Sequence, residues 1–301
     1  MASRPTLGVV ITNYNTWDLT LRCAERVLAY AGGLDEILIL DDASSTPPPR
    51  PLDPRLRLET NAQNLGLVKS LNRAMATLRT DVAVLFDSDA YPENDFTEPL
   101  RRAFAEEDRL AVVGFATVDA EGRPTGSCEP EPGLASLLLG QRLHAGWLRW
   151  FAPKDGPISV YTCAMAIRRT AFAELGGFDE SFDWLDLDHE LSMKVNRSTW
   201  HLRRMPELLA YHEGSGTPQT TNARVLRFYK TRYRLLTKFG KIRHPALVRF
   251  LVVARLAAEA ACLKVAGWLL PDRRERLREK FEGRKEVIRY CLGSYRKGAE
   301  G

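Results

Sequence analysis

The sequence lacks the cysteine patterns of disulfide-rich and zinc-binding proteins. Its five cysteines are scattered over 301 residues, and no C-x-x-C pair occurs among them. The N-terminal residues 1–5 carry no apolar segment of the kind that forms a secretory signal. These absences favour a reducing compartment, and we expect a cytoplasmic protein.

Glycine-rich nucleotide motifs and membrane-spanning runs are also missing. No G-x-G-x-x-G follows the first predicted strand, which argues against a dinucleotide oxidoreductase, and no Walker A loop is present. The most apolar segment, 246–270, is interrupted by charged residues that cover about half of a helix circumference. We therefore predict an amphipathic helix there rather than a membrane span. The interrupting residues are Arg249, Arg255, Glu259 and Lys264.

The net charge of +5 hides an uneven distribution along the chain. Residues 217–301 hold 21 Lys and Arg against 7 Asp and Glu, a net charge of +14. Residues 1–216 hold 22 against 31, a net charge of −9. The composition thus predicts two parts, a mildly acidic body over 1–216 and a basic helical C-terminal region over 217–301.

The body begins with an alternation of apolar strands and amphipathic helices. Short apolar runs at 7–12, 36–40 and 82–86 are typical of buried parallel strands, and helical periodicity at 17–30 and 67–78 separates them. This order predicts an α/β fold with a Rossmann-like, mostly parallel sheet and helices on both faces. Further strands are predicted at 55–59, 110–118, 160–167 and 200–205, and a loop at 119–133.

Two acidic residues follow the strand 82–86. Asp87 and Asp89 stand one residue apart, and Pro92 comes soon after them. In open α/β sheets, ligands bind at the carboxyl ends of the strands. Paired carboxylates at such a position suit a divalent cation that also bridges the phosphates of a substrate. A turn that simply caps the strand is the alternative, and this pattern by itself leaves both interpretations open.

Several motifs occur in order and at suitable spacing. They are VVITNYN at 9–15, ILILDDAS at 37–44, NLGLVKSLN at 64–72, FDSDAYP at 86–92, GGFDESF at 176–182 and YHEGSG at 211–216. Together they resemble the family 2 glycosyltransferases over about residues 6 to 216. The resemblance implies the GT-A fold and inverting transfer of a sugar from a nucleoside diphosphate donor, with Mg²⁺ or Mn²⁺ as cofactor. Rhamnosyl transfer is one example of such a reaction.

The resemblance also implies roles for individual residues. A carboxylate at Asp42 is suited to accept a uracil N–H from the donor base, although a loop cap is the alternative for this residue. Lys69 would approach the diphosphate, or it is an ordinary surface charge. The implied donor-binding residues are Thr12, Tyr14, Asn15, Asp42, Lys69, Asn72, Asp87 and Ser88. The implied metal ligands are Asp87, Asp89 and His212, with a phosphate contact or a core position as the alternatives for the histidine.

Inversion at an anomeric carbon requires a base that takes a proton from the acceptor hydroxyl. In the family this base is an Asp that opens a helix, preceded by a Glu and followed two residues later by another acid. Matching this pattern places the base at Asp188, with Glu190 as the second acid. The chain departs from the pattern because Leu187 replaces the usual Glu. Asp186 could take over the role of that Glu, or the match could be shifted by two residues, which would make Asp186 the base.

The basic C-terminal region suggests its own partners. The pattern of residues 225–239 predicts a basic amphipathic helix. This helix could bind the anionic inner face of the cell membrane, and its apolar side chains Leu226, Phe228, Tyr229 and Leu235 would then enter the lipid. Packing on the catalytic domain, or a homodimer through these helices, is the alternative. No recognition motif accompanies the charge, so nucleic acid is not an expected partner.

The expected substrates are a UDP- or dTDP-sugar donor and a glycan, a lipid-linked saccharide or a small molecule as acceptor. Two other functions remain as alternatives. A nucleotidyltransferase would also use paired acids and a metal, but it would need a basic glycine-rich loop after the first strand, and this loop is missing. A non-catalytic nucleotide-sugar-binding protein would not need Asp87, Asp89 and Asp188 together.

Overall fold

The protein is described here by a computed structural model that covers residues 4–151, 156–182, 184–212 and 221–298. The chain forms two compact units. The first comprises Met1–Glu131 and Asp155–Gly216, and the second comprises Pro132–Lys154 and Thr217–Gly301. The composition predicted that residues 132–154 belong to the acidic body. The structure instead groups this segment with the C-terminal helices, because its helix packs against two of them.

Strands and helices alternate through most of the first unit. The strands are β1 (Leu7–Asn13), β2 (Glu36–Asp41), β3 (Leu56–Thr60), β4 (Val82–Phe86), β5 (Ala90–Pro92), β6 (Leu110–Val118), β7 (Cys128–Pro130), β8 (Ile158–Val160), β9 (Ala164–Arg168) and β10 (His201–His212). The helices of the chain are α1 (Trp17–Tyr30), α2 (Leu67–Thr77), α3 (Thr97–Glu106), α4 (Leu134–Phe151), α5 (Arg169–Glu174), α6 (Leu187–Val195), α7 (Thr221–Lys238), α8 (Pro245–Leu269) and α9 (Arg274–Gly298).

Eight strands form one sheet in the order β3-β2-β1-β4-β9-β6-β10-β5. The strands β1 to β4 run parallel to one another, and β10 runs parallel to β6. Two strands reverse this direction, since β9 is antiparallel to β4 and β6, and β5 is antiparallel to β10. The predicted α/β fold with a mostly parallel sheet and a helical C-terminal region is confirmed.

The apolar runs of the central strands supply both faces of the sheet. In β4, Val82, Val84 and Phe86 point into one core and the alternate residues Ala83 and Leu85 into the other. Helices α1 and α3 cover the first face, and α2, α5 and α6 cover the second. Because both faces are buried, β4 reads as a continuous apolar run and its carboxyl end is held rigidly.

Two predicted elements differ in the structure. The strand expected at 160–167 is two strands, because Tyr161, Thr162 and Cys163 turn the chain from β8 into β9. The loop expected at 119–133 contains β7, which pairs antiparallel with β8. Both differences depend on pairing between distant strands, which local periodicity does not report.

The second unit is a group of helices, α4, α7, α8 and α9. Its core takes in the apolar side chains of α7, among them Phe228, Tyr229 and Leu235, and the face of α8 formed by Val248, Val252, Leu256 and Ala260. The expectation that Phe228, Tyr229 and Leu235 enter a membrane is therefore wrong, because these side chains are buried in the protein. None of the helices in the described part of the chain has the length and the apolar character that a membrane span requires.

Candidate active site

The turn after β4 brings three predicted metal ligands together. The Ala90 N–H donates to the Asp87 carbonyl at 3.0 Å, so the chain folds back into β5 directly after Asp89. β10 pairs with β5 so that His212 lies opposite Ala90. As a result, ligand atoms of Asp87, Asp89 and His212 all lie within 4.8 Å of one another. His212 Nε2 is 3.8 Å from Asp89 Oδ1.

A stacked pair of tyrosines supports this arrangement. Tyr91 of β5 and Tyr211 of β10 have ring centroids 4.6 Å apart and nearly parallel planes. Arg26 of α1 covers the Tyr91 ring at 5.3 Å and also bonds Glu93. These contacts hold the pairing of β5 and β10, and the pairing in turn fixes His212 beside the aspartates.

The geometry and the donor types fit a divalent cation. Two ligand atoms that each lie about 2.2 Å from one cation are at most about 4.4 Å apart, so small side-chain rotations would suffice here. Burial, followed by the charges of Asp89 and Asp188, raises the pKa of Asp87 to about 7. A bound cation would favour the ionised carboxylate and so relieve this cost. The residues Asp87, Asp89 and His212 could thus hold Mg²⁺ or Mn²⁺.

The candidate bases lie at the start of α6. Asp186 is the residue that precedes the helix, has a left-handed φ of 67°, and its carbonyl accepts the Glu190 N–H at 2.9 Å. Asp188 is in the first turn, where one carboxylate oxygen accepts the His189 N–H at 2.8 Å. Asp188 is close enough to Asp87 to raise its pKa. The acid at the start of α6 and the acids after β4 thus face the same space.

The pKa of Asp188 is itself raised. Burial is the largest cause, and the charges of Asp186 and Glu129 act in the same direction. The charge of His189 and the bond from its N–H lower the pKa and offset part of this effect. A carboxylate with a raised pKa accepts a proton more readily than an ordinary surface aspartate, which is the property that a general base needs.

Asp42 is tied to a neighbouring loop. Its buried carboxylate accepts N–H groups from Asn61 at 2.7 Å, from Leu65 at 2.8 Å and from Gly66 at 2.9 Å. Asp42 therefore caps the loop that precedes α2, as the loop-cap alternative predicted. A carboxylate offers about four acceptor positions, so these three bonds leave one position of Asp42 open. Gly66 has φ 82° and ψ 158°, a conformation for which glycine is suited, and this lets its N–H reach Asp42.

The other residues at the ends of β1 and β2 form a polar rim. Tyr14 is 49% exposed and Thr12 is partly buried. Asn15 has a left-handed φ of 57°, and its side-chain oxygen accepts the Ser45 N–H at 2.8 Å. Thr12, Tyr14 and Asn15 thus follow one strand toward the same edge of the sheet at which β4 ends, as expected for parallel neighbours.

The three remaining residues that were predicted to bind the donor have different surroundings. Ser88 is partly buried between the two aspartates of the turn. Lys69 is exposed in the first turn of α2. Asn72 lies one turn further on, where its amide both donates to and accepts from the backbone of Phe178, at 2.9 Å in each case. The structure thus gives Asn72 a role in holding the Phe178 loop, and its contact with a donor stays a prediction.

Two residues near the acids were missed by sequence reasoning. The Cys163 carbonyl accepts the Asp87 N–H at 3.3 Å, and burial together with Asp87 and Asp188 raises the pKa of the Cys163 thiol. Glu129 of β7 lies 3.1 Å from His189 Nε2. Neither residue belongs to a local motif, because each is brought to the site by antiparallel pairing of distant strands.

Comparisons with known proteins agree with this geometry. The family model of Glycosyl transferase family 2 matches residues 8–176, and the chain belongs to this family. The succinoglycan biosynthesis protein ExoO of Rhizobium meliloti is 29% identical over 124 residues, which are 40% of this chain and 36% of that protein. The chain therefore matches only about a third of the length of this relative.

Solved structures share the fold. A mannosyltransferase from Pyrobaculum calidifontis, PcManGT, in complex with GDP-Man and Mn²⁺, has a TM-score of 0.53 and 18% identity, covering 98% of this chain and 87% of its own. GalNAc-T7 with UDP, GalNAc and Mn²⁺ has a TM-score of 0.53 and 17% identity, covering 76% and 48%. TarS 1-349 of S. aureus has a TM-score of 0.51 and 14% identity, covering 97% and 92%.

Proposed function

We propose that the protein is a metal-dependent, inverting glycosyltransferase that moves a sugar from a nucleoside diphosphate donor to an acceptor hydroxyl. The observation that carries this proposal is the convergence of Asp87, Asp89 and His212 on one point with Asp188 facing them, in a chain that belongs to glycosyl transferase family 2. These residues combine a cation site with a base, which are the two elements that such a transfer requires.

Mn²⁺ is the cation that we propose for this site. Mg²⁺ strongly prefers oxygen ligands in octahedral geometry, whereas Mn²⁺ accepts an imidazole nitrogen such as that of His212 more readily. The solved structures of PcManGT and GalNAc-T7, which have this fold, contain Mn²⁺, and this agrees with the choice. When bound, the cation supplies positive charge that stabilises the departing diphosphate.

Asp188 is the residue that we propose as the base. Its raised pKa suits proton abstraction from an acceptor hydroxyl, and its charge contributes to the raised pKa of Asp87. Asp186 is fully buried and precedes the helix in a left-handed conformation, so we give it the role of positioning α6. The family pattern would allow the reverse assignment, and the two carboxylates are separable by substitution.

The donor would lie across the ends of β1, β2 and β4. Tyr14 and Thr12 would line the base and ribose, and the fourth acceptor position of Asp42 would take a base N–H. We propose a UDP- or dTDP-sugar, since uracil and thymine both present such an N–H. Because the relative ExoO is named for succinoglycan biosynthesis, we propose a glycan or a lipid-linked saccharide as acceptor. The unpaired cysteines support a cytoplasmic location.

A panel of nucleotide sugars tests this function. Thermal stabilisation is measured for UDP-, dTDP- and GDP-sugars with Mn²⁺, with Mg²⁺ and with EDTA, and the best donor is then assayed for release of its nucleoside diphosphate. We expect stabilisation by one donor class that requires the cation and is stronger with Mn²⁺. Stabilisation that is unaffected by EDTA would contradict the metal site. Release of pyrophosphate from a nucleoside triphosphate and a sugar phosphate would instead identify a nucleotidyltransferase.

A further inference from the structure

One face of α8 is apolar and exposed over the length of the helix. Six large side chains on it are exposed, and Ala254 and Ala258 continue the same face between them. At 100° per residue these positions fall within about 120° of the helix circumference. The opposite face carries the buried residues of the unit's core. We call this exposed face the α8 stripe, and its large residues are Leu247, Phe250, Leu251, Val265, Trp268 and Leu269.

The α8 stripe consists of apolar side chains that are exposed to solvent. Trp268 is 82% exposed, Phe250 66% and Val265 57%. From Leu247 to Leu269 the stripe is about 33 Å long, at about 1.5 Å per residue. Single exposed apolar residues are common on protein surfaces. A large continuous apolar patch, by contrast, marks a site that binds a membrane, another protein or a ligand.

Positive charge surrounds both ends of the stripe. Arg243 is exposed just before α8, Lys264 is exposed beside the stripe, and Arg273 and Arg274 are exposed just after it. Over residues 241–278 the chain holds nine Lys and Arg against three Asp and Glu. An apolar band between groups of cations is complementary to a lipid bilayer that has an anionic surface.

The same charges disfavour a second copy of the chain as the partner. If two α8 stripes paired antiparallel, Arg243 of one copy would lie near Arg273 and Arg274 of the other. If they paired parallel, each group of cations would meet its own equivalent. Both arrangements place like charges together around an apolar contact, whereas anionic lipid headgroups neutralise both ends at once.

We propose that the α8 stripe is a docking surface for the headgroup region of an anionic phospholipid bilayer. The helix would lie in the plane of the membrane, with Phe250 and Trp268 inserted below the headgroups and the flanking arginines among the phosphates. This surface differs from the membrane contact expected from the sequence, which used α7, and it does not depend on the proposed catalytic function.

Vesicle sedimentation of the full chain tests the proposal. The vesicles contain phosphatidylcholine with about 30 mol% phosphatidylglycerol, and pure phosphatidylcholine vesicles serve for comparison. We expect binding to the anionic vesicles at low salt that falls at least about tenfold at high salt, since the Debye length shrinks. The double variant Phe250→Ser/Trp268→Ser should bind at least about tenfold more weakly, because it removes two inserted side chains without changing charge.

Leu292→Ser in α9 is the matched control. Leu292 is an apolar residue of the same unit, is 56% exposed and lies outside the α8 stripe, so its substitution should leave vesicle binding unchanged. Circular dichroism of each variant checks that the helices are retained. Equal weakening by Leu292→Ser and by the double variant would overturn the proposal, as would binding that ignores phosphatidylglycerol.

Two further readouts do not require a disruptive variant. Lipids with brominated acyl chains should quench part of the tryptophan fluorescence of the wild-type protein, and Trp268→Phe should lose that quenching while still binding. Sedimentation equilibrium of the protein without lipid tests for a dimer that forms through the α8 stripe. We expect no dimer in the wild type that is lost in the Phe250→Ser/Trp268→Ser variant. Such a dimer, together with no binding to anionic vesicles, would assign the α8 stripe to an interface between copies and overturn the proposal.

Discussion

Two aspartate pairs stand at the carboxyl ends of β2 and β4, which lie on either side of β1 in the sheet, yet their surroundings are opposite. Asp41 and Asp42 at the end of β2 accept N–H groups from Asn13, Ser44, Asn61 and the loop that precedes α2. Asp87 and Asp89 after β4 face a further carboxylate, Asp188, and the imidazole of His212. The first pair is stabilised by hydrogen bonds from the protein itself, whereas the second pair concentrates negative charge.

The difference shows how a strand-end aspartate acquires its role. After β2 the chain supplies backbone N–H groups from Leu65 and Gly66, and a carboxylate bonded in this way stabilises a loop. After β4 the chain turns directly into β5, and the elements that approach are the starts of β9 and α6 and the end of β10. Because α6 brings a further carboxylate to this space, a cation is the group that would stabilise the second pair.

The largest expected effect comes from Asp188→Asn, which removes the acid that faces the second pair. General-base catalysis contributes about 10² to 10⁴ to a rate, so we expect transfer to fall by about that factor. Donor affinity in the presence of Mn²⁺ should change little, because the base acts on the acceptor. The measurements are kcat for sugar transfer and donor affinity by calorimetry.

Asp186→Asn is the matched control for this prediction. It substitutes the second candidate base, two residues earlier, and should lower kcat far less than Asp188→Asn. An inactive Asp186→Asn protein beside an active Asp188→Asn protein would reverse the two assignments and move the base from the first turn of α6 to the residue before it.

Asp89→Asn should have the next largest effect, on cation binding. Loss of groups that only support a metal ligand costs about 10- to 100-fold in affinity, so loss of a ligand itself should cost at least about 100-fold for Mn²⁺. Asp42→Asn is the control, since the Asp42 carboxylate belongs to the first pair, which the protein stabilises by hydrogen bonds. If both variants weakened Mn²⁺ binding equally in calorimetry, the contrast between the two pairs would not hold.

A smaller effect, on stability, is expected from Asp42→Asn. The Leu65 and Gly66 N–H groups bond different oxygens of Asp42, so the NH₂ group of the amide leaves one of these N–H groups without its acceptor. Because a buried N–H left without its acceptor costs about 1–3 kcal/mol, we expect a loss of about 2 kcal/mol in the free energy of unfolding. Urea denaturation measures it. Asp89→Asn should not destabilise the metal-free protein, and a similar loss in both variants would contradict the comparison.

The sequence predicts the part of the site that is local. β4 and its acids are recognisable because a fully buried parallel strand is an apolar run, and the acids follow it directly. The helix that begins near Asp188 was implied by the family resemblance, and the structure begins α6 at Leu187 with Asp188 in its first turn. His212 could be assigned only through the resemblance, since its position beside Asp89 depends on the pairing of β10 with β5.

Other features depend on what packs against each element. The sequence contains the carboxylate of Asp42 but not the information that two backbone N–H groups of another loop will reach it. Similarly, periodicity shows that α7 and α8 each have an apolar face but not which face is covered. The structure buries Phe228 of α7 and leaves Phe250 of α8 exposed, because the unit's core takes the opposite face of α8.

The final prediction compares the two ends of β4 in metal-free protein. Asp81 precedes the strand, and bonds from the Thr6 N–H and hydroxyl, at 2.9 and 2.7 Å, hold its pKa below the usual value. Asp87 follows the strand, and its pKa is raised to about 7. The unfolded chain has a pKa of about 3.9 at both positions. The two carboxyl groups should therefore make stability depend on pH in opposite directions.

The sign follows from which state binds protons more tightly. Folded protein holds the Asp87 proton up to about pH 7, so this group costs stability as the pH rises from about 4 to about 7. In EDTA, Asp87→Asn should be more stable than wild type at pH 8, by about 1 kcal/mol after allowance for the partial exposure of the carboxyl group, and similar to it at pH 4. Asp81→Asn should be less stable than wild type at neutral pH, and this deficit should shrink as the pH falls below about 4, because protonation removes the same bonds in wild type. Urea denaturation at several pH values measures both differences, and Mn²⁺ should remove the advantage of Asp87→Asn at pH 8 by stabilising wild type alone. Parallel pH dependences for the two variants would mean that the acids after β4 are not under electrostatic strain, and the cation site would lose its electrostatic rationale.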